Sequence, residues 1–594
     1  MELIYFWYKN DNKTIKNSGF CFSQKYIFKN HFSKSNNFVL EIIENNDYID
    51  NFYTSEFSNI SNLAAIIGSN GVGKTNLLHL LIDLLTDNLP FKDSFIAIFQ
   101  NECKIEICYN VKSFKLEIID NGFKDYKIIP FKEYSIFGDK RREFKLKHTK
   151  VIYYNPAFDL RDYPFQISPS NRKHIDISTN TLIETDSANY KNLDKLLFHK
   201  FSNIRRSLIL SYSTITELEN INFPQITQIV FYMNYFTPEK DASTLSDENL
   251  LIFDFIQTKI KKENSQDLSV QFSECLVHNF FHFLDEANDF DLEIDINELE
   301  TNSLYSTLSI FFKKQKFVKD IDLLYDNVLK GIELTKGKFI DSDRQNNSFT
   351  FETDNLIALE ILTTYESFIK SASRIITTTD FIHFNWRNIS TGEKCIIDLF
   401  SRLNYAHKII KESTENISFV YLFIDEGDIG LHPQWQKSYI NKLLKFIDLL
   451  FIGYSVQIII TSHSPLIISD IPKSNLIFLK RIGEFCELVD IDKEETFASN
   501  IHSLFTDSFF IENGLIGDFA KNKINQVIKY IKNDSRDVDN INEIRKIIKI
   551  IGEPVLKNKI SQMFEYTFNL PIDIDYEIIS LEERLSQLKI INKK

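Results

Sequence analysis

The strongest constraint on this chain is a glycine-rich turn between an apolar run and a leucine-rich one. The run Leu63–Ile67 is typical of a buried strand, and the leucines between positions 77 and 81 indicate a helix. The turn itself fits the pattern G-x-x-x-x-G-K-[ST] at every fixed position. Its residues are Gly68, Ser69, Asn70, Gly71, Val72, Gly73, Lys74 and Thr75.

The residue types of this turn suit the binding of phosphate groups. Glycines let the backbone fold back and point its N–H groups inward, and the helix that begins near Lys74 adds partial positive charge. Lys74 supplies a full charge for the β- and γ-phosphates, and the Thr75 hydroxyl suits Mg²⁺. The alternative is a chance glycine turn before a helix, which the strand–turn–helix context disfavours. The turn therefore predicts a nucleotide site.

Composition limits the classes of protein to consider. A length of 594 residues predicts two or more substructures, and the net charge of −14 means that contact with DNA or RNA requires a local basic patch. The six cysteines form no C-x-x-C motif, which disfavours a zinc site or disulfide framework and fits a reducing cytoplasm. Neither a signal peptide nor a membrane span is apparent, so we expect a cytoplasmic protein without membrane contact.

Patterns along the chain predict an α/β protein with four regions. Residues 1–164 contain short aromatic and β-branched strands around the phosphate turn, and residues 386–495 return to α/β character. Between them, residues 165–385 carry apolar positions at helical spacing, which predicts a packed helical insertion. Residues 496–594 are predicted to be mostly helical, with a final segment, Glu577–Ile591, that packs on its own domain or pairs with another helix.

Two local patterns have an ordinary and a functional interpretation. The basic run Asp139–Lys150 fits a solvated strand edge better than a nucleic-acid contact. His278 and His282 are four residues apart, as in some metal sites, but the intervening residues are Asn and Phe where a zinc protease has Glu. We therefore expect both histidines to be polar positions on an otherwise apolar helix.

Two adjacent carboxylates provide the second component of the site. The apolar run Ser418–Ile424 is typical of a buried parallel strand, and Asp425 and Glu426 follow it directly. Ligands bind at the carboxyl ends of such strands. Asp425 is therefore predicted to hold Mg²⁺ or its water, and Glu426 to act as the general base on the attacking water. The alternative is a strand that ends at an acidic turn without a function. It is disfavoured because a phosphate loop lies upstream in the same chain.

Two further motifs are ambiguous when each is taken alone. His463 follows the apolar strand that begins at Val456, and it is a candidate to bind a γ-phosphate oxygen or the water near Glu426. Its alternative is a surface turn histidine. Ser390, Gly392 and Glu393 precede a helix and resemble an anion-binding helix start, although an ordinary N-cap is the better explanation when the motif is taken alone.

In this order the four motifs resemble those of the ABC-type ATPases of the SMC/RecF/OLD superfamily. Gly68–Thr75 matches the Walker A loop, Ser390–Glu393 resembles the signature loop, Ile424–Glu426 resembles Walker B, and His463 matches the switch histidine. The stretch 428–433 resembles the D-loop, with Gly427 where a proline is common. No Q-loop glutamine is evident, and Asn155 is the proposed substitute.

This resemblance implies a fold and a mechanism. The fold is an ABC-ATPase-like head with N-terminal antiparallel strands, a mostly parallel core sheet, a large helical insertion and a helical C-terminal tail. ATP with Mg²⁺ would bind Gly68–Thr75 of one subunit, and Ser390, Gly392 and Glu393 of a second subunit would cap it. A homodimer or higher oligomer is therefore expected. The segment Thr496–Phe510 resembles the tail of stand-alone bacterial AAA/OLD-like ATPases, among them the PtuA-like defence ATPases.

Three functions are compatible with these features. The first is a sensing or regulatory ATPase in anti-phage defence that acts with a separate, nuclease-like effector protein. The second is a DNA-repair or DNA-binding ATPase like RecF and SMC proteins, for which nucleic acid is a partner. The third is an OLD-type enzyme with its own nuclease. Asp490 and Asp492 fit part of the nuclease pattern, but the required Glu-bearing strand is absent from the sequence, which disfavours the third function.

Overall fold

The computed structural model describes most of the chain in several ranges, with shorter gaps inside them. The ranges are 1–158, 173–188, 194–213, 229–234, 245–372, 382–499 and 518–571. Residues Met1–Phe510 form one compact unit, and Ile511–Lys594 form a second.

The aromatic and β-branched runs of the N-terminal region form strands, as predicted. In chain order the strands are β1 (Glu2–Lys9), β2 (Ser18–Cys21), β3 (Tyr26–Phe32), β4 (Phe38–Glu44), β5 (Ile60–Gly68), β6 (Ser94–Asn101), β7 (Lys104–Asn110), β8 (Leu116–Asp120), β9 (Tyr126–Pro130), β10 (Glu133–Ile136), β11 (Asp139–Arg142), β12 (Thr149–Tyr154), β13 (His174–Asp176), β14 (Ile229–Asn234), β15 (Phe339–Asp343), β16 (Ser348–Thr353), β17 (Ile382–Trp386), β18 (Phe419–Ile424), β19 (Ser455–Ser462), β20 (Leu476–Ile482) and β21 (Phe485–Leu488).

Several helices begin at a serine, aspartate or histidine whose side chain accepts a hydrogen bond from the first turn. In chain order the helices are α1 (Lys74–Leu85), α2 (Thr179–Ser187), α3 (Lys195–Ser213), α4 (Asp247–Ile260), α5 (Leu268–Ala287), α6 (Ile296–Leu299), α7 (Leu304–Lys314), α8 (Ile321–Leu334), α9 (Asn355–Ala372), α10 (Thr391–Glu412), α11 (Pro433–Leu450), α12 (Pro465–Ile468), α13 (Asp518–Lys532), α14 (Val538–Lys549) and α15 (Pro554–Phe568).

A seven-stranded sheet forms the centre of the larger unit, in the order β13-β12-β18-β19-β5-β20-β21. Neighbouring strands are parallel, except for the antiparallel pair β20–β21. The central strands β18, β19 and β5 are buried along nearly their whole length, because both faces of a parallel sheet are covered. Since these strands are parallel, their carboxyl ends meet at one edge, which brings Asn155, Asp425, His463 and the phosphate loop together.

Two smaller sheets contain most of the N-terminal strands, and β10 and β11 pair with each other. The five-stranded sheet β2-β1-β6-β7-β9 is antiparallel apart from the pair β7–β9, and β3-β4-β8 forms a three-stranded sheet. Aromatic side chains fill the space between these sheets, with the rings of Trp7 and Phe38 4.4 Å apart. A second apolar cluster joins the five-stranded sheet to α1 and the core sheet. The predicted α/β fold with a mostly parallel core sheet is therefore confirmed.

The region predicted as a helical insertion contains helices α2 to α9 and also strands. Strand β13 belongs to the central sheet, and β15-β16-β14-β17 form a four-stranded antiparallel sheet that the sequence pattern did not predict. His278 lies on α5 with its ring against Phe253, and burial lowers the pKa of His278 to about 4. In the described part of the chain, no three His, Cys, Asp or Glu side chains group to hold a metal.

The smaller unit has its own apolar core, which α13, α14 and α15 form. Val527, Ile531, Ile548 and Phe564 are among its most buried side chains. The predictions for Asp490 and Asp492, for Thr496–Phe510 beyond residue 499 and for Glu577–Ile591 lie outside the described residues. They stay predictions, as do the four domain boundaries.

Candidate active site

The loop between β5 and α1 requires glycine at three of its positions. A Cβ on Gly68 would lie 2.5 Å from the carbonyl oxygen of Leu479, a backbone atom of the neighbouring strand β20. Gly71 and Gly73 have φ angles of 76° and 88°, in the left-handed region that side chains disfavour. The glycine pattern in the sequence is therefore a direct consequence of how this loop folds.

The same loop exposes its backbone at the start of α1. Ser69, Asn70 and Gly71 are exposed, whereas Val72 is buried in the core below them. Gly73 occupies the N-cap of α1 and has no side chain to satisfy the first amide groups of the helix. Backbone N–H groups and the positive end of the helix dipole are thus available to an anion.

Lys74 places a buried positive charge inside this loop. Its side chain is only 4 % exposed, and Nζ donates to the carbonyl oxygens of Gly68 and Ser69, each at 3.3 Å. Nζ also lies 3.7 Å from Glu426 Oε1. Burial lowers the pKa of Lys74, and the negative charges of Glu426 and Asp425 oppose that shift. The ammonium group is therefore held where a phosphate would neutralise it.

Asp425 is the point where four elements meet. The Thr75 hydroxyl donates to Asp425 Oδ2 at 2.8 Å, and the Thr461 hydroxyl donates to Oδ1 at 2.6 Å. The Asn155 amide and the Tyr153 hydroxyl also donate to Oδ2, at 3.1 and 3.2 Å. This buried carboxylate is thus fixed from α1, β12, β19 and the turn after β12.

The pair formed by Thr75 and Asp425 fits a magnesium ion that is shared with a nucleotide. Mg²⁺ usually binds one or two protein oxygens and completes its shell with water and substrate phosphates. The hydroxyl and the carboxylate are the oxygen ligands of this kind, and they lie 2.8 Å apart beside the phosphate loop. A larger cluster of carboxylates is not needed for such a site.

Glu426 has an unusual backbone conformation. Its φ is 51°, in the left-handed region that costs a non-glycine residue energy and occurs preferentially at functional sites. Its amide group donates to Thr461 Oγ1 at 2.8 Å, which holds this turn. The hydrogen bond with His463, helped by the charge of Lys74 and opposed by burial, lowers the pKa of Glu426. Glu426 is therefore a carboxylate at neutral pH.

His463 lies between the lysine and the glutamate. Its Nε2 is 2.6 Å from Lys74 Nζ and 3.0 Å from Glu426 Oε1. A single ring nitrogen either accepts from the ammonium group or carries a proton and donates to the carboxylate. Nε2 of His463 therefore lies between the two charged groups and forms a hydrogen bond with one of them at a time.

Asp428, two residues after Glu426, is also held by a side chain of β19. The Ser462 hydroxyl donates to Asp428 Oδ2 at 2.9 Å, at the start of the stretch that resembles a D-loop. A Cβ on Gly427 would lie within 2.5 Å of atoms in Ile424 and Tyr439, so the proline often found here in the resembling family does not fit.

The sequence analysis assigned no role to Thr461, although a polar residue at the end of an apolar strand was a usable signal.

Ser390, Gly392 and Glu393 lie at the start of α10. Ser390 is exposed and caps α10, and its amide and hydroxyl groups donate to Glu393 Oε2 at 2.8 and 2.7 Å. Gly392 is buried, and a Cβ there would lie 3.6 Å from the Trp435 ring. No hydrogen bond or ion pair between described residues joins these three to Gly68–Thr75. The Glu393 carboxylate is engaged in this capping box.

The fold and the geometry of this site define a nucleoside triphosphatase of the P-loop class, and comparison with known families agrees. The model of the AAA ATPase domain family matches residues 48–468, so the chain belongs to this family. The matched region includes the phosphate loop, Asp425, Glu426 and His463.

Two curated proteins are similar to part of the chain. The Retron Vc95 probable ATPase of Vibrio cholerae serotype O1 biovar El Tor is 33% identical over 91 residues, which are 15% of this chain and 16% of that protein. The Retron Ec83 probable ATPase of Escherichia coli is 30% identical over 99 residues, 16% of this chain and 17% of that protein. The similarity thus spans only about a sixth of either relative. Among the described helices, none has the length and apolar character needed to cross a membrane.

Proposed function

We propose that this chain hydrolyses ATP with Mg²⁺ at the site around Gly68–Thr75. The observation that carries this proposal is the convergence of Lys74, Glu426 and His463 within 3.7 Å of one another, beside the hydrogen-bonded pair of Thr75 and Asp425. This arrangement brings a phosphate-binding group, two metal-binding groups and a general base together at one edge of the sheet.

In this proposal each side chain has a separate task. Lys74 and the loop amides bind the β- and γ-phosphates, and Thr75 and Asp425 hold the metal. Bound Mg²⁺ would neutralise charge on the phosphate oxygens. Glu426 takes a proton from the attacking water, because its lowered pKa keeps it ionised at neutral pH. His463 orients that carboxylate through its 3.0 Å hydrogen bond.

Replacement of the base tests this assignment. We expect Glu426→Gln to bind ATP while its steady-state hydrolysis falls by about 100-fold or more, the range that general-base catalysis contributes. Glu412→Gln is a matched control, because that side chain is 66% exposed at the end of α10. A Glu426→Gln protein that hydrolyses ATP at the parental rate would show that Glu426 is not the base.

We further propose that two copies assemble head to tail, so that Ser390 and Gly392 of one copy cap the nucleotide of the other. The exposed position of Ser390 at a helix start supports this, since such a terminus is accessible to an anion on a second molecule. Glu393 then acts by holding the Ser390 turn through the capping box. Light scattering of Glu426→Gln should give a dimer mass with ATP, whereas an added Ser390→Arg change should leave it monomeric.

The biological role that we propose is a sensing or regulatory ATPase in bacterial anti-phage defence, with a separate nuclease-like effector. The names of the two retron ATPases support this role, together with the resemblance to PtuA-like ATPases. Adjacent genes for an HNH nuclease or a reverse transcriptase would favour it. The alternative is a RecF- or SMC-like ATPase that binds DNA, for which stimulation of hydrolysis by DNA, without such neighbouring genes, is the expected result.

A further inference from the structure

The last two strands of the core sheet lie on one side of the phosphate loop. The order β18-β19-β5-β20-β21 places β20 and β21 on the side of β5 that faces away from β18 and β19. Glu426 and His463, which follow β18 and β19, lie 3.7 and 2.6 Å from Lys74 Nζ. These groups would surround the γ-phosphate of a bound nucleotide. Its nucleoside, at the other end of the phosphate chain, would then extend toward β20 and β21.

Strand β20 continues past the level at which the phosphate loop begins. It pairs with β5 in parallel, and Leu479 is the residue beside Gly68. The next two residues of β20, Lys480 and Arg481, are exposed. Because a strand rises about 3.3 Å per residue, Arg481 lies roughly 7 Å beyond Gly68 along the strand direction. The guanidinium group is therefore at the same edge of the sheet as the loop.

The residue that pairs with Arg481 shows on which face of the sheet its side chain lies. Arg481 is directly opposite Cys486 in the antiparallel pair β20–β21, and side chains at opposite positions share a face. The sulfur of Cys486 lies 3.2 Å from the position that a Cβ on Gly73 would take. Gly73 is the N-cap of α1. Arg481 is therefore on the α1 face, beside the start of that helix.

Two further observations agree with this placement. Leu479 is two residues before Arg481 and so lies on the same face of the strand. Its side chain is buried in one apolar cluster with Val72 of the phosphate loop and Leu77 of α1. Burial raises the pKa of the Cys486 thiol, and the positive charge of Arg481 opposes that shift, as expected for a neighbouring guanidinium group.

We propose, on the basis of the nucleotide site proposed above, that Arg481 stacks on the base of the bound ATP. A guanidinium group is planar and stacks on flat ring systems, including nucleic-acid bases. Leu488, 43% exposed and paired with Leu479, adds apolar surface on the same face. Stacking reads no donor or acceptor at the edge of the base, so Arg481 distinguishes a nucleotide from a bare polyphosphate without selecting adenine.

Calorimetric titration of the full chain with Mg²⁺ tests the proposal. The probes are the nonhydrolysable analogue adenylyl imidodiphosphate, ADP and inorganic tripolyphosphate. Arg481→Ala should weaken binding of both nucleotides about tenfold, the effect of losing the partner of one stacked base. Its affinity for tripolyphosphate should be unchanged, because this probe has no base. In steady-state hydrolysis the same variant should raise the Michaelis constant for ATP and leave kcat unchanged.

Lys480→Ala is the matched control. It removes the same charge from the adjacent residue of β20, whose side chain lies on the opposite face of the strand, so all three affinities should stay at the parental values. Equal losses in the two variants would indicate general charge attraction and would overturn the proposal. So would an Arg481→Ala protein that binds nucleotides like the parent, or that loses tripolyphosphate as strongly as nucleotides. A parent that binds none of the probes would refute the nucleotide site itself, and this assignment with it.

Discussion

Replacement of Thr461 by valine is the sharpest test of how the site is held. The two side chains have nearly the same shape, so the change removes the hydroxyl group with little effect on packing. That hydroxyl donates to Asp425 Oδ1 at 2.6 Å and accepts from the Glu426 amide at 2.8 Å. Thr461→Val therefore removes one donor from the proposed metal ligand and leaves the turn of the proposed base without its anchor.

The structure allows a rough magnitude for this effect. A hydrogen bond to a charged group contributes about 1.5–3 kcal/mol, and an amide left without a partner costs about 1–3 kcal/mol. If about 2 kcal/mol of this total is lost from the transition state, kcat falls about 30-fold, since about 1.4 kcal/mol corresponds to a factor of ten. The Michaelis constant for ATP should change little, because Lys74 and the loop amides are untouched.

Steady-state hydrolysis across a range of ATP concentrations separates these two quantities. Thr363→Val is a suitable control, because Thr363 is exposed on α9 and its hydroxyl only donates to the Leu359 carbonyl. A Thr461→Val protein with kcat within twofold of the parent would refute the argument that this threonine positions Asp425 and Glu426. A Thr461→Val protein whose Michaelis constant for ATP rises while its kcat is unchanged would also refute this argument.

Three further predictions concern the same site. Since the hydrogen bond from His463 lowers the pKa of Glu426, His463→Ala should move the acidic limb of the kcat–pH profile to higher pH; an unmoved limb would contradict the coupling. Gly68→Ala should lower the melting temperature by several degrees, because its Cβ would lie 2.5 Å from a backbone oxygen, whereas Gly552→Ala meets nothing within 4 Å and should not. Chelation of divalent cations should abolish hydrolysis, and added Mg²⁺ should restore it; activity that persists in excess chelator would exclude Thr75 and Asp425 as metal ligands.

The pH dependence of stability follows from the same carboxylate. Because the pKa of Glu426 is lower in the folded protein than its ordinary value, its contribution to the free energy of unfolding is complete above the ordinary value. This contribution is lost as the pH falls through the lowered value. The proposed hydrolysis therefore does not lose its base anywhere near neutral pH.

Some parts of the site were predictable because they are encoded in adjacent residues. The turn Gly68–Thr75 has a backbone path that only its glycines permit. The glycine pattern in the sequence is therefore sufficient to predict the conformation of the loop. Asp425 and Glu426 follow an unbroken apolar run, and strand polarity places their side chains at a ligand-binding edge. Asn155 donates a hydrogen bond to Asp425 at 3.1 Å, whereas its role as a substitute for the Q-loop glutamine stays a prediction.

Other parts depended on contacts between distant residues. The sequence analysis missed the four-stranded sheet within 165–385, because β14 pairs with strands more than a hundred residues away and its edge partners are short.

The sequence by itself therefore determined the nucleotide-binding class of this protein, through contiguous motifs whose local geometry needs particular residue types. Only the tertiary structure decided how these motifs cooperate. The order β12-β18-β19-β5 brings Asn155, Asp425, Thr461 and Thr75 into one hydrogen-bonded group, although Thr75 and Asp425 are 350 residues apart. Strand order is set by the burial of apolar faces across the whole sheet, which no local pattern specifies.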